Sequence, residues 1–114
     1  MDAKEKLNEV NRAVKEFGLS EPEQQAAFMK LNSLSMQDGK IPSKYKELMA
    51  LSIAIAVKCE WCITYHVNNA FKSGATKDEI METVGIAVMM GGAPSLMYLN
   101  IVLDAIDAFN PDNE

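Results

Sequence analysis

Apolar side chains recur at steps of three and four residues from one end of this 114-residue chain to the other, and a strand reading finds little support. That period gives each segment one apolar face along a helix, which makes the expected class all-α. Helix start and stop signals divide the chain into six segments. Asp2 can cap the first, where Leu7, Val10, Val14 and Phe17 share a face and Gly18 is the expected stop. Ser20 and Glu23 have the spacing of a capping box for a second helix bearing Ala27, Phe28, Leu31 and Leu34 and ending near Asp38 and Gly39. Residues 1–39 thus read as an amphipathic helical hairpin. Ser43 caps a third helix in which Leu48, Met49, Leu51, Ser52, Ile53 and Ile55 leave almost no polar face, so it should be buried within the chain or between subunits.

No glycine or proline separates that helix from the residues that follow it. One helix over residues 43–73 would be roughly 46 Å long, whereas a compact chain of this size has a radius of gyration of only ~13 Å. A break near Lys58 is therefore expected, and it puts Cys59 at the N-terminus of a fourth helix that Gly74 ends. Thr76 and Glu79 repeat the capping-box pattern for a fifth helix with Ile80, Val84, Ile86, Ala87 and Met90 on it. Gly91-Gly92-Ala93-Pro94 breaks the chain again. A last helix over about residues 94–109 carries Leu96, Leu99, Val102, Leu103 and Ile106, before Asn110, Pro111 and an acidic end. With no long linker, repeat or low-complexity stretch, residues 1–114 form one domain, an N-terminal hairpin followed by a core region over 41–108.

Hydrophobic residues make up 48% of the chain, aromatics only 7%, and methionine occurs eight times, which suits a helical core of Leu, Ile, Val, Met and Ala. The net charge of −5 supplies no basic footprint for nucleic acid. Residues 1–15 are charged and amphipathic, not a basic region followed by an apolar run, so no signal peptide is expected. The longest apolar stretch, residues 48–57, is about half of the ~20 residues that a membrane span requires. A cytoplasmic protein away from membranes is expected. So little aromatic content would leave the third helix hard to cover in a monomer, and at least a trimer is expected.

The two cysteines and the one histidine stand together as Cys59, Cys62 and His66. Two intervening residues let a disulfide close across one helical turn, and they let one thiol lower the other's pKa to roughly 3.5–7.5. On a helix, positions 59, 62 and 66 share a face, with His66 one turn past Cys62, where an imidazole can exchange a thiol proton near neutral pH. In a reducing compartment such a pair is catalytic or metal-binding more often than structural. A zinc site would need four ligands, and Cys59, Cys62 and His66 would require Glu47 or a second subunit to complete it. A non-catalytic metal-binding or oligomeric scaffold thus remains open beside sulfur redox chemistry.

Glu47, eleven residues, Cys59-x-x-Cys62, three residues and His66 resemble the signature of the alkyl hydroperoxidase D-like branch of the carboxymuconolactone decarboxylase family. Ala70, Gly74, Ala75, Glu79-Ile80 and the Gly91 to Pro94 turn extend the likeness over roughly residues 41–108. The resemblance implies a single-domain, orthogonal six-helix bundle, assembly as a homo-trimer or homo-hexamer, and a peroxiredoxin-like oxidoreductase. It implies that Cys62 attacks a hydroperoxide and becomes a sulfenic acid, and that Cys59 closes the disulfide. Glu47 and His66 match the proton relay, and a cellular dithiol would return the electrons with no metal or organic cofactor. The best-known hydroperoxidases of the branch carry a second histidine where this chain has Trp61. That departure motivates a second reading, a protein disulfide oxidoreductase or redox sensor. Lactone decarboxylation is a third, carried in the family by members that generally lack the paired cysteines.

Overall fold

A computed structural model describes residues 1–112, and among them every regular element is a helix. These are α1 (Ala3–Ser20), α2 (Pro22–Met36), α3 (Ser43–Ala56), α4 (Glu60–Lys72), α5 (Lys77–Gly91), α6 (Ala93–Met97) and α7 (Leu99–Phe109). All six expected helices are present, the last of them divided at Tyr98. The Asn100 side chain takes the Met97 carbonyl at 3.0 Å, and the Ile101 N–H, displaced from that acceptor, bonds Tyr98 at 3.1 Å. This tighter step separates the short α6 from α7. The acidic end at Asn113 and Glu114 lies outside the described residues.

Two capping expectations need correction. Gly18 does not stop α1, which runs on to Ser20, and the Ser20–Glu23 box does not form. Pro22 starts α2 instead, its fixed φ suited to a first helical position. Ser43 is likewise not a cap. It is the first residue of α3, its N–H donates to Asp38 Oδ1 at 2.7 Å, and its Oγ donates to the Met36 carbonyl at 2.7 Å. Asp38 thus does the capping, and the bond from Ser43 holds its carboxyl below the ordinary value. By contrast, Asp2 caps α1, and the Thr76–Glu79 box on α5 is complete.

The break before Cys59 has an identifiable geometry. Lys58 takes a left-handed φ of 62°, its N–H bonds the Ile55 carbonyl at 3.1 Å, and the Cys59 N–H bonds Ala54 at 3.1 Å. This is a Schellman ending with lysine where glycine is usual, at a cost of roughly 1–2 kcal/mol. It folds α4 back against α3.

Leu51 and Ile55 of α3, Ile63 and Val67 of α4, Ile80 of α5, and Val102 and Ile106 of α7 form the centre of the core. The third helix is buried on one face only: Leu48, Leu51, Ala54 and Ile55 point inward, while Met49 and Ile53 are exposed, as is Val57 just past its end. Helix α2 contributes no buried residue, and its Phe28, Leu31 and Leu34 face solvent.

Candidate active site

Cys59 is the N-cap of α4, where its Sγ accepts the Cys62 N–H at 3.2 Å. The two cysteines are joined as a disulfide, their Cα atoms 5.2 Å apart. Cys59 is half-buried and Cys62 exposed. Both the orphan amides and the dipole at a helix N-terminus favour negative charge, so the fold supports a thiolate on Cys59 once the bond is reduced.

His66 follows Cys62 by one turn, and its Nδ1 lies 2.7 Å from Glu47 Oε2. In a straight helix these residues would be about 28 Å apart; the turn at Lys58 brings them together within one chain. The Glu47 side chain is only 10% exposed and that of His66 18%, so the pair is largely shielded from water. With the carboxylate ionised, Glu47 can only accept, and the shared hydrogen is then carried by Nδ1. The Tyr65 ring meets the imidazole edge-on, centroids 5.2 Å apart.

Cys62 and His66 open into one groove of about 880 Å³. Val10 and Val14 of α1, Phe28 and Met29 of α2, and Trp61 and Tyr65 of α4 give it apolar walls. Such a volume suits a ligand considerably larger than water. Trp61 is fixed in its wall by a 3.0 Å hydrogen bond from Nε1 to Glu9 Oε1. Beside it, Lys6 Nζ lies 3.8 Å from Glu60 Oε1 and donates to the Met1 carbonyl at 3.3 Å.

The three residues singled out by spacing and Glu47, which the family resemblance added, therefore form two joined pairs on one helical hairpin, Cys59–Cys62 and Glu47–His66. Spacing missed the walls that α1 and α2 supply, and it missed Glu9, which is 52 positions from Trp61. The available signal was the indole itself, whose N–H needs a partner when partly buried. Among the described residues, no group of three or more His, Cys, Asp or Glu side chains is arranged to hold a metal ion. Nor is any helix there long and apolar enough to cross a membrane.

The family model for carboxymuconolactone decarboxylases matches residues 22–105. The chain belongs to the carboxymuconolactone decarboxylase family. A family member from Legionella pneumophila, solved in its apo form, superposes with a TM-score of 0.90 at 35% identity, over 95% of this chain and 96% of that one. Another from Thermotoga maritima gives a TM-score of 0.81 at 29% identity, over 90% and 88% of the two chains; for it, a part in the antioxidative response has been suggested. An uncharacterised protein of Cupriavidus necator is 34% identical over 109 residues, 96% of each chain. Within the family, the paired cysteines are consistent with the alkyl hydroperoxidase D-like branch.

Proposed function

We propose that the protein is a thiol-dependent antioxidant enzyme that reduces hydroperoxides through Cys59 and Cys62. The observation that carries this reading is the joint opening of Cys62 and His66 into one groove, with His66 backed by a shielded carboxylate at 2.7 Å. In the reduced protein, His66 Nε2 takes the Cys62 proton, and the thiolate attacks the distal peroxide oxygen. The O–O bond breaks, Cys62 becomes a sulfenic acid, and the alkoxide receives the proton back from His66. Glu47 holds the imidazole in the required tautomer and stabilises its charged form. The Cys59 thiolate then attacks the Cys62 sulfur, forming the disulfide as hydroxide leaves and is protonated to water. A cellular dithiol reduces that bond, becoming a disulfide itself, and we assign the cycle to the cytoplasm, where such donors are available.

The suggested antioxidative part of the Thermotoga maritima relative supports the same chemistry. The exposed apolar residues Ile53, Val57, Met89 and Met90 leave a surface for a second copy to cover and so favour the expected trimer or hexamer. Cys62→Ser should abolish peroxide turnover, whereas Cys59→Ser should permit one oxidation and leave a sulfenic acid trappable by dimedone. Full activity in Cys62→Ser would overturn the assignment.

One feature favours a second reading. An exposed Cys62 sulfur bonded to a Cys59 that leaves as a stabilised thiolate also suits disulfide exchange. Reduction of insulin disulfides, assayed beside reduction of peroxide, separates the two. Faster turnover of insulin than of any hydroperoxide would favour exchange.

A further inference from the structure

Lys6 is a buried lysine, only 8% exposed, which is rare for an ammonium group unless it is paired. It also stands beside the first turn of α4, where the helix dipole already disfavours a cation. Among the described residues its side-chain ion pair is with Glu60 Oε1 at 3.8 Å, a loose contact, and Glu60 is the residue that follows Cys59. The other residue between the cysteines, Trp61, bonds Glu9 of the same helix α1 at 3.0 Å. Both intervening residues of the cysteine pair are therefore held by α1, and α1 brings a buried positive charge to the side chain of Glu60, the residue next to the cysteine at the helix N-cap.

We infer that Lys6 is a positioning residue that sets the reduction equilibrium of the Cys59–Cys62 pair, with Glu60 acting in the opposite sense and the Glu9–Trp61 bond keeping α1 in place. The inference rests on the redox reading above. During reduction by dithiothreitol, a donor thiolate attacks the exposed Cys62 sulfur. The S–S bond breaks, and its electron pair leaves on Cys59 Sγ as a thiolate. The donor's second thiolate then displaces Cys62, which takes up a proton, and the donor departs as its cyclic disulfide. The charge that appears in the first step is on Cys59, where the Cys62 N–H and the dipole of α4 meet it, with the Lys6 cation beside the adjoining residue Glu60. Removing the cation makes the reduced state less favourable. Removing the Glu60 carboxylate, an anion adjacent to the new thiolate, makes it more favourable.

The test is a redox titration of the full-length protein in dithiothreitol buffers at neutral pH, with the reduced fraction read by maleimide alkylation and mass. Lys6→Met, which keeps an apolar stem of similar length, should lower the equilibrium constant for reduction by about three- to tenfold, a tenfold change corresponding to about 30 mV. Glu60→Gln should raise it. A purely structural role would not produce shifts of opposite sign. Unchanged constants, or shifts of the same sign, overturn the inference while the redox reading stands. Should Lys6→Met not fold, Glu60→Gln on its partly exposed side chain decides alone, and an unchanged or lowered constant in it overturns the inference. A wild-type pair with no reversible equilibrium against dithiothreitol overturns the redox reading, and this inference with it.

Discussion

Helices α2 and α4 are close in length, fifteen and thirteen residues, and both carry apolar side chains at helical spacing, yet six residues of α4 are buried and none of α2. The difference lies in their neighbours. Helix α4 packs against α3, α1 and α7, whereas α2 lies against α1 and an edge of α3. The groove at Cys62 therefore has one wall on a helix fixed from three sides and the other on a helix held lightly. Reactive groups need small positional errors, and a substrate needs a way in, so this division suits a site whose chemistry is on α4 and whose access is through α2.

Substitutions can break or sharpen that contrast. The largest effect is expected on the fixed side. Glu47→Gln keeps an oxygen acceptor but loses the charge that stabilises a protonated His66, and should slow thiol oxidation by roughly 100-fold, at the lower end for loss of a general acid–base. Stopped-flow peroxide consumption checks this, and an unchanged rate would remove Glu47 from the relay. Next, Ile63→Ala should cost about 2–5 kcal/mol in urea unfolding, since it empties a fully buried site in the core. Leu31→Ala on α2, where the side chain is 60% exposed, should stay within about 0.5 kcal/mol at low protein concentration. A cost for Leu31→Ala that grows with concentration would show that a second copy covers α2. Equal costs in dilute solution would erase the contrast.

The smallest effect concerns a half-buried clamp between α3 and α5. Lys44 Nζ lies 2.9 Å from Glu79 Oε2, and this bond, followed by that from Thr76, holds the Glu79 carboxyl below its ordinary 4.5. A carboxylate with a lowered folded pKa adds stability above its unfolded value and loses it as pH falls through the folded one. Lys44→Met should therefore flatten the acid side of the stability curve below about pH 5, and the two proteins should converge at lower pH. A constant difference across that range would contradict the linkage.

How much could be read from sequence depended on how local each cause was. The break at Lys58 followed from chain length against compactness, with no breaker residue to mark it, and it correctly put Cys59 at a helix start. The Thr76–Glu79 box is a four-residue event and formed as written. Ser20 and Glu23 carry the same pattern but lost to Pro22, whose fixed φ set the start of α2 while Ser20 stayed in α1. The division at Tyr98 depends on one side-chain bond from Asn100 that competes with a main-chain one, which periodicity does not register. The four candidate residues came from spacing and family likeness, but whether Glu47 reaches His66 depended on how α3 folds onto α4. The groove and the Glu9–Trp61 bond depend on contacts between distant segments, for which one sequence carries no spacing rule.

The most direct test is the second-order rate at which peroxide consumes the thiols of the reduced, folded protein, with the urea-unfolded chain as the reference for ordinary cysteine. The account predicts folded thiols that react at least about 100-fold faster, with two thiols lost for each peroxide. Equal rates in the folded and unfolded chains would contradict it.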